Sequence, residues 1–449
     1  MTIGDENCTI RSLSVSCLAT FALSFHLFTR DSFKDPFHCD IILTATHLIQ
    51  FIVPAFVISL GILEKYWHHQ TVAVKNDMGK VVFAILIAQG MFNVPFLLFK
   101  PPTRKLCYTS SIQLEMLMVT LLAICVWLSR ISLLATDSYF HFGHSSFQEF
   151  SYLYSPLAVM NTFGRIVVIF SAIHILKSKS FSKSKIAYLY LFSELIWHIF
   201  SGRREGLLLG VLSVVLTGSF IYKKVTLRQI VLFLLILVVF SSFSHYYRHS
   251  IRRQSKSGDI SVLTAAVEGS ENLKKQSISK TSAVIFERLN SIKFTAGCMA
   301  FFPDEKPFLN GSTYTKILWA PIPQLLFPNK PKIAYEYNAI IQPWIKGTLA
   351  PLTTVGEAYA NFGWNGIWLV FLLSGVAYRI FDSSILMGTH ISPLLASIWI
   401  FFSILFVRMA NKPAFSGFSW MFKIVLLIIA YQVCNKLYSN RQKKSGLAK

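Results

Sequence analysis

Residues 155–206 read SPLAVMNTFGRIVVIFSAIHILKSKSFSKSKIAYLYLFSELIWHIFSGRREG, and this stretch decides the fold class. Its first part, 155–176, is apolar apart from one formal charge, Arg165. At a helical rise of about 1.5 Å per residue such a run crosses about 30 Å of hydrocarbon. The next segment carries Lys177, Lys179, Lys183 and Lys185 without an acid, and a second apolar run, 186–200, then leads to the turn Ser201-Gly202-Arg203-Arg204-Glu205-Gly206. An apolar run, a short basic loop and an apolar run returning are the marks of a polytopic membrane protein.

The rest of the chain agrees. Of 449 residues 53% are hydrophobic and only 14% charged, against about 25% charged in soluble globular proteins. The mean hydropathy is +0.51. The formal charge of +22 does not point to nucleic acid, because most Lys and Arg fall in short segments between apolar runs, where membrane topology accounts for them. The seven cysteines are scattered, with no C-x-x-C pair, which excludes a disulfide framework or zinc ribbon. Residues 1–9 carry Asp5 and Glu6 and no basic cluster, so no cleaved signal peptide is expected. No cofactor is expected, since no Walker loop, Rossmann glycine pattern or G-x-S-x-G elbow occurs. No metal site is expected either: His245 and His249 have zinc-compatible spacing, but Arg248 lies between them and no His-Glu-x-x-His occurs.

A twenty-residue window gives about eleven spans (ten to twelve), near 11–29, 41–63, 81–99, 112–135, 155–176, 186–200, 205–222, 229–247, 362–381, 392–408 and 418–437. The expected organisation is all-α: an N-terminal bundle over 1–247, a large external loop over 248–355, and C-terminal helices with a basic tail over 356–449. The basic loops 177–185 and 223–228 and the tail, with Lys436, Arg441, Lys443, Lys444 and Lys449, share one side under strict alternation and are assigned to the cytoplasm. Loop 136–154, without Lys or Arg, faces outward; loop 64–80, with three lysines, dissents from the scheme.

Two regions carry candidate chemistry. Adjacent Arg203 and Arg204 can grip a phosphate through paired donors, and the helix starting near Glu205 adds its dipole to an anion site. Interfacial anchoring explains the same arginines without a ligand. In the membrane, Arg165 and Glu194 lie at similar depth and are placed to pair, as a functional site or a structural ion pair, whereas Arg130 and Glu115 sit nearer span ends, where snorkelling suffices. The second region, 288–366, contains Arg288, the runs Gly311-Ser312-Thr313-Tyr314 and Pro328-Asn329-Lys330-Pro331, and the block Gly356-Glu357-Ala358-Tyr359-Ala360-Asn361-Phe362-Gly363. Its aromatic and amide content suits a sugar-binding surface and equally an interfacial loop.

Over residues 190–380 these segments, in this order, resemble the Wzy-type polymerases of O-antigen and related polysaccharides, although Pro323-Gln324 departs from a pattern that often carries Arg after the second proline. The resemblance implies a GT-C-like glycosyltransferase of the bacterial inner membrane with a periplasmic loop. It would transfer a growing chain from undecaprenyl pyrophosphate onto a new lipid-linked repeat unit, with the bilayer and a chain-length regulator protein as partners. Arg203, Arg204 and Arg288, with Lys330, would stabilise the leaving pyrophosphate, and Glu357, or else Glu205, would deprotonate the acceptor. Arg165, Tyr314, Tyr359 and Asn361 complete the expected substrate contacts. The alternatives are a flippase of lipid-linked oligosaccharides and an O-antigen ligase.

Overall fold

The computed structural model describes residues 46–59, 71–99, 105–106, 112–135, 151–178, 181–200, 262–275, 291–319, 353–385, 390–407 and 414–444, with isolated positions between them. The elements are helices α1 (Val53–Ser59), α2 (Thr71–Leu98), α3 (Ile112–Ala135), α4 (Ser151–Ser178), α5 (Phe181–Phe200), α6 (Val262–Lys275), α7 (Ile292–Phe301), α8 (Ser312–Thr315), α9 (Thr354–Ile385), α10 (Pro393–Val407) and α11 (Ala414–Lys444). A π-helical turn (Leu48–Ile52), a 3-10 turn (Lys316–Trp319) and the two-residue strands β1 (Lys105–Leu106) and β2 (His390–Ile391) are also present among the described residues. Among the described residues five stretches are long and apolar enough to cross a membrane: Asp77–Leu98, Gln113–Leu134, Val159–Ser178, Thr354–Phe381 and Trp420–Tyr438. Pro393–Leu405 is a shorter apolar helix. The chain is an α-helical, multi-pass membrane protein. The expected spans near 11–29, 205–222 and 229–247 lie mostly outside the described residues.

Helices α2 and α9 run parallel, and their pairings advance together along both: Phe83 with Trp364 (5.6 Å between ring centroids), Phe96 with Tyr378 (5.9 Å), and Arg379 Nη2 donating to the Phe99 carbonyl. Gly375 permits the crossing, because a Cβ there would meet the Phe92 carbonyl oxygen at 2.5 Å. Small residues commonly let membrane helices approach this closely.

Each of the two helices is followed by a strand and a returning helix. β1 pairs in parallel with β2, Lys105 opposite His390 and Leu106 opposite Ile391, before α3 and α10 turn back. The two helix pairs, α2–α3 and α9–α10, therefore lie side by side at this end. Glu115 ties this end together by accepting the Leu394 N–H (3.2 Å) at the start of α10 and the Tyr431 hydroxyl of α11 (2.9 Å). It is fully buried, so snorkelling is the wrong account of it.

Helix α7, which belongs to the sequence region read as the external loop, shares the core of the spans. Ile292, Ala296 and Cys298 are fully buried in one cluster with Val355, Ala358 and residues of α2. The starts of α2 and α9 and the segment 291–319 thus occupy one end of the bundle, opposite the strand pair. By helix direction Lys177 and Lys436 fall at the strand end.

Candidate functional site

At the loop end, α9 is broken. Phe362 (φ −141, ψ 16) and Gly363 (φ 61, ψ −143) leave helical geometry within a membrane-spanning segment. Non-helical backbone at such depth persists only where protein or a water-lined cavity satisfies it. Here the carbonyls of Ala360 and Asn361, which lose their helical donors, accept the backbone N–H groups of Leu309 (2.9 Å) and Asn310 (3.1 Å).

The loop that supplies those donors turns through two left-handed residues, Asn310 (φ 46) and Gly311 (φ 82). Loop and break interlock at two glycines. A Cβ on Gly311 would meet Phe362 Cζ at 2.9 Å, and one on Gly363 would meet Phe308 Cζ at 3.1 Å. Tyr314 stacks on Phe362 with centroids 6.2 Å apart. Asn361 donates from Nδ2 to Thr313 Oγ1 (2.7 Å) and to the Glu357 carbonyl (2.8 Å). Its side chain is fully buried, and among the described residues Oδ1 meets no donor.

Glu357 stands one helical turn before Asn361 and is also fully buried. Behind it the Cys298 thiol donates to the Gly356 carbonyl (3.1 Å). Burial, and secondarily the charge of Glu357, push that thiol up to about 12. Thr353 Oγ1 accepts the Gly356 N–H (3.0 Å) and shares a hydrogen with Thr295 Oγ1 (2.7 Å), fixing the start of α9 on α7.

Tyr359 faces α2. Its ring meets Phe308 (5.9 Å) and Trp364 (5.7 Å) edge-on. Its hydroxyl lies in the electrostatic field of Lys80, Asp77 and Asp304. Asp77 and Lys80 form an ion pair of 2.6 Å in which the Lys80 side chain is 57% exposed and that of Asp77 11%.

Four of the sequence-predicted residues, Tyr314, Glu357, Tyr359 and Asn361, therefore converge around one helix break. Arg203, Arg204, Glu205, Arg288 and Lys330 lie outside the described residues. Arg165 is buried in α4. Its expected partner Glu194 instead pairs with Arg130, whose Nη2 donates to Glu194 Oε2 (2.7 Å) and whose Nε donates to Asn161 Oδ1 (2.8 Å). Trp127 and Trp197 flank the guanidinium at 5.1 and 4.9 Å. Arg130 is wholly buried, not an interfacial anchor. The signal that sequence reasoning missed is two charge–tryptophan pairs at the same helical spacing, Trp127 with Arg130 and Glu194 with Trp197. Asp77 and Phe308 carry no comparable signal.

A family model described as a domain of unknown function (DUF8712) matches residues 86–434, and the chain belongs to that family. No curated protein and no solved structure matches it.

Proposed function

We propose that this member of the DUF8712 family is a polysaccharide polymerase that joins undecaprenyl-pyrophosphate-linked oligosaccharide repeat units at the periplasmic face of the bacterial inner membrane. The observation that carries this reading is the meeting of the Gly311–Tyr314 run with the Gly356–Gly363 block at a broken helix. These are the two blocks on which the family resemblance rests in this half of the chain. Discontinuous membrane helices commonly build substrate sites where their polar backbone is freed. Aromatic rings, a buried amide and carboxylates at one bundle end suit sugar hydroxyls and ring faces. In this reading Arg203 and Arg204, with Arg288 and Lys330, neutralise the departing pyrophosphate. Lipid-linked donor and acceptor enter laterally from the bilayer.

One observation favours a second reading. The helix pairs α2–α3 and α9–α10 lie side by side with α2 and α9 parallel, an arrangement that would suit a flippase of the same lipid-linked oligosaccharide, since transporters are commonly built from paired units. Deleting the gene and resolving lipopolysaccharide on a gel separates the two. Loss of a polymerase leaves core bearing a single repeat unit; loss of a flippase, or of a ligase, leaves bare core. Bare core would overturn the polymerase reading.

A further inference from the structure

The acceptor hydroxyl needs a base, and the sequence points to Glu357. The structure seals that carboxylate completely inside the bundle. A general base must come within hydrogen-bond reach of the proton it takes, directly or through one water. At the same end Asp304 and Glu305 are solvent-exposed positions of the turn after α7. Asp77 differs from both groups. Its side chain is 11% exposed, largely shielded yet open at the surface, and Lys80 fixes its carboxylate at 2.6 Å. Tyr359, from the block that carries the resemblance, lies within electrostatic reach of this pair. The partly exposed ring of Trp364 meets Tyr359 edge-on at 5.7 Å and Phe83, further along α2, at 5.6 Å.

We propose that Asp77 is the carboxylate that activates the acceptor sugar, and that the exposed rings of Phe83 and Trp364, backed by the buried Tyr359, form the wall against which that sugar lies. The inference rests on the polymerase reading and moves the base from Glu357 to α2, leaving Glu357 as a positioning residue within the broken helix. In the step, the acceptor oxygen forms a bond to the anomeric carbon of the donor sugar. The bond from that carbon to the pyrophosphate oxygen breaks, and the electron pair leaves with polyprenyl pyrophosphate. The hydroxyl proton passes to the Asp77 carboxylate and from there to water. Lys80 holds the carboxylate in place, and its exposed amino group leaves the opposite carboxylate oxygen to the acceptor.

The bland account is an ion pair between residues three apart on one helix, which contributes about 0.2–0.5 kcal/mol and nothing to chemistry. The test uses a deletion strain carrying the full-length chain, with polymer read on a gel and protein abundance read in membranes. Asp77→Asn should slow chain growth about a hundredfold or more at wild-type abundance, the lower range for loss of a general base. If the orphaned Lys80 lowers abundance, the double variant Asp77→Asn with Lys80→Met restores charge balance. It should recover abundance and remain without polymer. Full-length polymer in either variant overturns the assignment of Asp77, because charge balance and not the carboxylate would then suffice. Bare core in the deletion strain, in place of core bearing a single repeat unit, overturns the polymerase reading itself, which separates the two failures.

Discussion

Arg130 and Glu194 form a fully enclosed ion pair whose bonded atoms, 2.7 Å apart, lie directly over Gly164. A Cβ at that glycine would meet Arg130 Nη2 at 2.7 Å and both Glu194 carboxylate oxygens at 2.8 Å. Three helices, α3, α4 and α5, are thus held at one point by a charge pair that fits only because the middle helix has no side chain there.

The first prediction follows from that geometry. Arg130→Ala or Glu194→Ala leaves one charge buried without its partner, which costs about 3–5 kcal/mol. Each should sharply reduce folded protein in membranes and lower thermal stability in detergent. Replacing both with Met removes both charges and should recover most of the loss. Gly164→Val should behave like the single variants, since the pair has no room to retreat between Trp127 and Trp197. Normal stability of Glu194→Ala would show that the pair does not hold the helices together.

The broken helix gives the second. Gly363 sits at φ 61 and ψ −143, a region that side chains other than glycine occupy at a cost of about 1–3 kcal/mol. Gly363→Ala also drives a methyl toward Phe308. Two outcomes are expected together: lower stability and loss of the docking between residues 309–310 and 360–361. A cysteine introduced at Asn310 would report the latter as faster labelling by a membrane-impermeant maleimide. Unchanged labelling and stability would remove the break from the site.

The helices themselves were legible in the sequence, because an unbroken apolar run of spanning length is costly to expose to water and matches the thickness of a bilayer. The five spanning helices coincide with expected spans near 81–99, 112–135, 155–176, 362–381 and 418–437. What was not legible depended on which helices become neighbours. Arg165 and Glu194 match in depth, but depth does not fix azimuth, and Glu194 faces α3, where Arg130 waits. Arg130 and Glu115 lie near span ends, and only the surrounding helices turn those positions into buried ones. The 311–314 and 356–363 blocks were visible as compositionally odd segments. That they interlock depends on the positive φ of Gly311 and Gly363 and on two phenyl rings occupying the space left by absent Cβ atoms. The parallel α2–α9 pair has no sequence signature because Gly375 is one glycine among many.

Cys298 yields a third prediction. Burial beside Glu357 raises its thiol to about 12, so at pH 8 the reactive thiolate is scarce and the sulfur is enclosed. N-ethylmaleimide should fail to modify it in the folded protein and react fully after denaturation. The linkage has a definite sign. Folding holds the thiol neutral, so this contribution to stability is complete below about pH 9, where the unfolded thiol is also neutral, and is lost as pH rises from there towards about 12. Replacing Cys298 with Ala should weaken that part of the alkaline unfolding. Rapid labelling of the folded protein at position 298 would contradict its place in the core.

The last prediction concerns Arg203 and Arg204, which follow α5 by only a few residues. Three residues before that helix ends, Trp197 packs on the Arg130 guanidinium, so the helix end that precedes them in the chain is held by the buried pair. If the arginines only anchor the turn at the interface, positive charge is sufficient and Lys serves as well. If they grip pyrophosphate, the planar fork with paired donors is required, and Lys cannot reproduce it. Losing one set of charge-assisted hydrogen bonds in the transition state costs about 2.7–4 kcal/mol by analogy with a lost oxyanion donor. That slows chain growth by about a hundredfold or more. Arg203→Lys and Arg204→Lys should therefore each leave the protein at wild-type abundance while abolishing or sharply shortening the polymer seen on a gel. Full-length polymer at wild-type rates from both variants would make the arginines anchors and leave the pyrophosphate to be held elsewhere.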